Sequence, residues 1–243
     1  MDLRVGTFNI LNTCGNYPAR KPFISKTIKE MDCDILGLQE VNLKGNTEIH
    51  GFSEYNFEFH HMPSSLFLPI PDFRIDGNGI LLKKEIEILE RYELKYSLAN
   101  RVALALRLKK SGVEFIFVNT HLDYLADFIR GQQVTELVLF LEQFKEMPLV
   151  CVGDFNMTPD SSEYLLMSQC LTSSNVLSNG KEPFSTYPTP LEGVDIADLP
   201  PMCIDYIWVN SRITTKKCEV FIDCGLGNMW ASDHFPVVAD LQI

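Results

Sequence analysis

Apolar and polar positions alternate, or recur at helical spacing, along most of the chain, and turns separate the runs. Leu3–Ile10 alternates apolar and polar residues and predicts a strand. Further strands are predicted at Asp34–Gln39, Tyr55–His60, Gly79–Lys84, Val102–Leu108, Glu114–Thr120, Pro148–Gly153, Cys203–Val209, Lys217–Asp223 and Pro236–Leu241. Helices are expected at Pro22–Met31, Ala126–Lys145 and Ser161–Met167. The second is the clearest, because Val134, Leu137, Val138, Leu141 and Phe144 repeat at the helical period. Strands outnumber helices, and short turns join many neighbours. That pattern disfavours a purely parallel, doubly wound sheet and favours two mixed sheets packed face to face with helices outside.

No repeat, low-complexity segment or linker divides the chain. The turn-rich stretch Ser173–Pro201 is the nearest to a boundary, but the residues beyond it are too few for an independent core. The 243 residues are therefore expected to form a single domain.

Composition changes this picture in four ways. The hydrophobic share of 46% is enough for a large core. No apolar run approaches eighteen residues and no charged leader precedes one, so the expectation is a protein with no membrane span, in the cytosol or, as the alternative, the nucleus. The seven cysteines are odd in number and include no C-x-x-C pair, which favours free thiols over disulfides or a zinc site. The formal net charge of -11 argues against a protein that grips long stretches of nucleic-acid backbone. Either a bound cation masks clustered carboxylates, or the substrate is held at one or two phosphates.

The candidate chemistry lies where apolar strands end. Asn9 closes TFNI, Glu40 closes ILGLQE and His121 closes FIFVNTH. Asp154 and Asn156 close LVCVGDFN, Asp205 opens DYIWV, and Asp233 and His234 precede FPVVADL. Taken alone, GDFN is an ordinary turn, a lone histidine is more often packed than catalytic, and an aspartate before a strand is a turn cap. Together, on one sheet rim, four carboxylates would repel one another unless a cation or imidazolium compensated. Carboxylate and amide oxygens suit a hard ion, with Mg²⁺ the default and Mn²⁺ a substitute.

The ordered set TFNI, LQE, NTHLD, GDFNMTP, IDYIW and SDHFPV resembles the endonuclease/exonuclease/phosphatase superfamily, from Thr7 to Leu241. The resemblance implies an α/β fold, a four-layer α-β-β-α sandwich, and Mg²⁺-dependent phosphoester hydrolysis. It implies that Glu40 is the main metal ligand, with Asn9 and Asp233 nearby. Asp154, aided by Asn156, would orient or deprotonate the attacking water. His234, held by Asp205, and His121 would donate to the phosphate oxygens. The retained carboxylates and His234 argue against an inactive binding module on the same fold.

The substrate is expected to be nucleic acid or a nucleotide, with lipid or inositol phosphates as the alternative and a monomer as the working form. DGNGILLKK is similar to a segment of the deadenylase-like branch but departs from it at Asn78, which is either a phosphate contact or part of a hairpin turn. Arg130 and Gln132 come soon after THLD, which resembles both that branch and small bacterial members of uncertain substrate, and Arg130 is a candidate substrate contact. Arg101 reads as an exposed strand residue, and the apolar loop Ser64–Phe73 as packing.

Overall fold

The computed structural model describes residues 1–46, 49, 51–62, 76–191, 199–226 and 229–243. The apolar loop Ser64–Phe73 lies outside these residues.

Elements are numbered in chain order. One six-stranded sheet holds β1 (Asp2–Asn9), β2 (Ile35–Asn42), β3 (Tyr55–His61), β4 (Asp76–Lys83), β11 (Thr214–Val220) and β14 (Val237–Gln242), in the order β11-β14-β1-β2-β4-β3. The other holds β5 (Glu87–Lys95), β6 (Val102–Lys110), β7 (Val113–His121), β8 (Leu149–Asp154), β9 (Thr172–Ser173) and β10 (Asp205–Val209), in the order β5-β6-β7-β8-β10-β9. Both sheets are mixed, with β1–β2 parallel in the first and β7–β8 parallel in the second. A separate ribbon pairs β12 (Gly225–Leu226) with β13 (Met229–Trp230). The helices are α1 (Tyr17–Met31), α2 (Asp127–Glu142), α3 (Ser162–Ser168) and α4 (Ser174–Asn179).

Three apolar layers explain why the sheets stack. Val5, Ile35 and Ile80 of the first sheet meet Leu106, Phe117 and Val152 of the second between the sheets. Outside the first sheet, Ile24, Ile28 and Met31 of α1 pack on Phe8, Leu36 and Leu81. Outside the second, Val134, Leu137 and Leu141 of α2 pack with Met167 of α3 on Val118, Cys151 and Trp208. The result is the expected α-β-β-α sandwich. The sheets approach closely at Gly37, where a Cβ would fall 2.6 Å from Val152 Cγ2 and 2.9 Å from Asn119.

Several boundaries differ from the sequence reading. α1 begins at Tyr17, not Pro22, so Pro22 sits inside the helix without an N–H to give. β11 runs from Thr214 to Val220, three residues earlier than expected. β5 and α4 have no counterpart among the expected elements. The cysteines are all free and five of the seven are buried, as expected. Among the described residues, no helix is long and apolar enough to cross a membrane.

Candidate active site

The rim residues come together because strand register puts them there. In the parallel β7–β8 pair His121 stands beside Asp154, and in the antiparallel β8–β10 pair Asp154 faces Asp205. On the other sheet Asn9 ends β1 opposite Gln39 of β2. The β2–β4 register slips between Leu38 and Val41, and Glu40 there adopts φ 57°. A bulge of this kind redirects a side chain that regular pleating would aim elsewhere.

Beneath the rim the sheets are bolted by amides. Asn119 Nδ2 donates to the carbonyls of Leu38 (2.9 Å) and Gly79 (2.8 Å) across the interface, and Gln39 Nε2 donates to Asn119 Oδ1 at 2.6 Å and Thr7 Oγ1 at 3.0 Å. These are motif residues of LQE and NTHLD whose part the sequence does not disclose. Their bonds fix the depth of Glu40 relative to His121.

Asp154, 1% exposed, is the hub. Its Oδ2 accepts from Asn9 Nδ2 at 3.0 Å and lies 3.5 Å from His121 Nε2 and 3.7 Å from His234 Nε2. Its Oδ1 accepts from the Asn156 N–H at 2.9 Å. Burial pushes the Asp154 carboxyl well above the usual range; His234 opposes that rise and Asp205 adds to it. Asn156, at φ 50°, turns its amide onto the Leu122 carbonyl at 3.0 Å.

His234 Nδ1 is 2.9 Å from Asp205 Oδ2. Burial disfavours its charge, but Asp205, Asp154 and Asp233 together hold it well above the ordinary imidazole value. That direction favours the imidazolium, whose Nδ1–H donates to Asp205. The Tyr187 ring packs against it, centroids 4.7 Å apart. His121 is its opposite: burial, then the charges of Arg101 and His234, push it well below the ordinary value. Arg101 Nη1 lies 3.1 Å from His121 Nδ1. A guanidinium only donates, so Nδ1 accepts and the proton of the neutral ring sits on Nε2, toward Asp154. Arg101 is thus half-buried at the site rather than an exposed strand residue.

Glu40 accepts from Asn9 Nδ2 at 3.1 Å, and burial and the nearby Asp233 charge raise its carboxyl. The Asn9 Oδ1 accepts from the Leu11 N–H at 3.0 Å. Ser232 Oγ donates to the Asn9 carbonyl at 2.6 Å and so ties the Asp233–His234 loop to the end of β1. Arg20 of α1, fully buried, carries no signal in the sequence. It donates to the carbonyls of Ile10, Leu11, Asn12, Cys14, Gly15 and Ala231, binding the loop after Asn9 to the loop before Asp233.

An open cleft of about 720 Å³ is lined by Glu40, His121, Asp154, Asn156, Asp233 and His234, with Arg130 further along. Arg130 is held by the Asp123 carbonyl (3.2 Å) and the Asp127 carboxylate, with Glu163 Oε1 3.5 Å away. Asn9, Asp205 and Arg101 stand behind the lining residues, whereas two other residues singled out in the sequence lie away from the cleft. Asn78 is 2% exposed and donates to the Val102 carbonyl at 2.7 Å, tying β4 to the start of β6, and Gln132 lies on the outer face of α2, bonded to Glu136 at 2.9 Å.

Hard oxygen donors dominate at Glu40 and Asp233, and among the described residues no lysine or arginine is ion-paired with either. Together with the raised Glu40 carboxyl, this describes a site short of positive charge, which a divalent cation fits. Asp154, Asp205 and His234 also offer atoms within 4.8 Å of one another, but there His234 and Asp205 already satisfy each other.

The fold has close counterparts. A curated relative, Nocturnin from Drosophila melanogaster, is 26% identical over 275 residues, covering 92% of this chain but only 42% of the relative. The human Nocturnin catalytic domain with a bound sulfate anion superposes with a TM-score of 0.82 at 24% identity, over 99% of this chain and 93% of that one. D. rerio TDP2 complexed with a single-strand DNA product gives 0.80 at 16% identity, over 100% and 99%. Residues 6–234 match the Endonuclease/Exonuclease/phosphatase family, and the chain belongs to it.

Proposed function

We propose that this phosphoester hydrolase is a divalent-metal-dependent phosphodiesterase acting on nucleic acid or a nucleotide, with Mg²⁺ as its resident ion and Mn²⁺ able to replace it. One observation carries the reading. A single buried carboxylate, Asp154, stands between the Nε2 atoms of His121 and His234, 3.5 and 3.7 Å away, whose rings are pushed toward opposite charge states, on the floor of an open cleft. Hydrolysis at phosphorus needs a positioned water in line with the leaving oxygen and donors aimed at the equatorial oxygens. The TDP2 structure, with its single-strand DNA product, supports the nucleic-acid side of the reading.

Each residue then has a part. Glu40 and Asp233 would hold the ion, with Asn9 bonded to Glu40 and oriented by Leu11. The ion, when bound, supplies positive charge to the phosphate oxygens. Asp154 orients the attacking water and takes its proton, and its raised carboxyl suits a base working near neutral pH. Asn156 holds Asp154 in place through its N–H. His234, charged and steadied by Asp205, donates from Nε2 to the phosphoryl oxygen, and neutral His121 offers a second Nε2–H. Arg130 faces the part of the substrate beyond the phosphate.

The test is a hydrolysis panel run with Mg²⁺ and with chelator, for wild type and His234→Ala. It holds single- and double-stranded DNA, RNA, dinucleotides, sphingomyelin and inositol phosphates. Metal-dependent cleavage of a nucleotide diester by the wild type alone is the expected result. Headgroup release from the lipid with every nucleotide left intact would overturn the proposal.

A further inference from the structure

The cleft has unlike walls. Beyond the catalytic floor, one wall comes from the turn between His121 and α2 and from the start of α3, and contributes Tyr124, Asp127, Arg130 and Glu163. Arg130 is the one lysine or arginine lining the cleft among the described residues, and its guanidinium is engaged by Asp127, with Glu163 3.5 Å away. A second phosphate on this side would meet two carboxylates against one occupied cation. The wall is built against a continuing polyanion.

It is also built with an unpartnered aromatic. Tyr124 lines the cleft at 65% exposure and makes no hydrogen bond or ring contact among the described residues. Leu125 and Phe128, 73% and 74% exposed, are its neighbours in the chain, and Leu199 lines the same cleft at 44% exposure. Large apolar side chains left in water beside a reaction centre mark a surface that something covers. Every nucleobase has a π face that an aromatic ring can stack on, and a base carries no charge for Asp127 and Glu163 to repel.

We infer that Tyr124 is the stacking residue of a base-binding subsite, and that the unit bound there is a single terminal nucleotide rather than the interior of a polynucleotide. The inference rests on the phosphodiesterase reading above and sharpens it: the cleft takes one base on Tyr124, one scissile phosphate on the floor, and no further phosphate on the α2 side. Tyr124 determines specificity, and Asp127 and Glu163 exclude the longer chain.

Two measurements separate this subsite from the general reading. Hydrolysis of thymidine 5′-(p-nitrophenyl phosphate) is compared with that of methyl p-nitrophenyl phosphate, with Mg²⁺, for wild type, Tyr124→Ala and Tyr124→Trp. The nucleoside ester is expected to have a KM about tenfold lower in the wild type, the scale of one stacked base. Tyr124→Ala should raise that KM to the level of the methyl ester, and Tyr124→Trp should restore the gap. Calorimetry of AMP against ribose 5-phosphate reads the same preference without turnover. Equal KM values for the two esters in the wild type, or a gap that survives Tyr124→Ala, would overturn the subsite. If p-nitrophenyl phosphate were cleaved and neither diester were, the phosphodiesterase reading would fall, and the AMP comparison would still decide whether Tyr124 holds a base. Adsorption to phosphatidylcholine vesicles that is lost in Tyr124→Ala, with no preference for AMP, would make the rim a lipid-facing surface and overturn the inference.

Discussion

At the scale of single residues, the site divides protons unequally between two histidines. His234 sits among Asp205, Asp154 and Asp233, while His121 sits against Arg101, and the pair ends with one ring charged and one neutral. His234→Ala removes the charged donor and should lower kcat by about 10²–10³-fold, the effect of losing one preorganised donor, with the melting temperature little changed; wild-type turnover would exclude the role. Arg101→Gln keeps a donor for His121 Nδ1 but deletes the charge. Burial is the larger cause of the low His121 value, so the ring should recover only part of its basicity. The sign is fixed: removing a repelling cation raises the pKa, so the His121 ring, followed by NMR titration, should take up its proton at higher pH than in the wild type. An unmoved titration would show that Arg101 does not tune His121. The motif carboxylates and imidazoles are legible in the sequence because such groups seldom end apolar strands without a reason. Arg101 and Arg20 are not, since each owes its place to backbone and side chains distant in the chain. In YPARKPF, Arg20 looks like any solvated helix residue, yet it is fully buried.

Among the elements, β7 and β8 bear the closest tolerance. Gly153 pairs with Thr120, one step before the His121–Asp154 pair, and a Cβ on it would fall 2.1 Å from the Thr120 carbonyl oxygen. Gly153→Ala must part the two strands, so it should cost about 3 kcal/mol or more and lower activity further by displacing both His121 and Asp154, readable as a melting shift together with kcat/KM. A different joint holds the end away from the rim. Asp34, just before β2, accepts from the Arg4 N–H at 2.9 Å and pairs with Lys110 of β6 at 2.8 Å and Lys83 of β4 at 3.5 Å, linking both sheets. Burial alone would raise its carboxyl, but Lys110, Arg4 and Lys83 hold it below the usual range. A depressed carboxyl contributes stability above its unfolded pKa of about 3.9 and loses it as pH falls through the folded value. Asp34→Asn should therefore cost about 1–3 kcal/mol at neutral pH, and the gap from wild type should close as the pH is taken down toward about 2; a constant gap across that range would rule out the ion pairs as its source. Strongly periodic elements such as α2 and β1 are plain in the sequence. β5 is not, because EILERYELK sets charged side chains on both faces of an edge strand and so hides the period of two. α1 reads short because Pro22 imitates a helix start, and the true start at Tyr17 depends on Pro18 and the turn before it.

For the whole molecule, the balance of charge at the rim predicts a coupling between cation binding and stability. Glu40 is raised by burial and by Asp233, so its negative charge works against the folded state until a cation arrives. In chelator, Glu40→Gln should melt at a higher temperature than the wild type. With Mg²⁺ the order should reverse, because an ion at a hundredfold excess over its Kd contributes about 2.7 kcal/mol to a chain that can bind it. Equal melting curves for the two proteins in both buffers would remove Glu40 from the metal site. The sandwich architecture can be anticipated from the balance of strands and helices, and the family from six short motifs in order. What no motif conveys is the interior bolt of Gln39 and Asn119, or the aromatic wall at Tyr124, because both depend on which strands and turns the fold makes neighbours.

The clamp around Arg20 also gives the active site a date of birth. A ribosome delivers Asn9, Arg20 and Glu40 some two hundred residues before Ala231 through His234. Until the late residues arrive, Arg20 lacks the Ala231 carbonyl, Ser232 cannot fasten the end of β1, and Asp154 stands without its charged neighbour. One edge of β1 waits too, because β14, its antiparallel partner on that side, comes after that same loop. A growing chain is thus a silent hydrolase until that loop and β14 have both emerged and closed the sheet. For a phosphoester hydrolase, the order of assembly keeps manufacture apart from action.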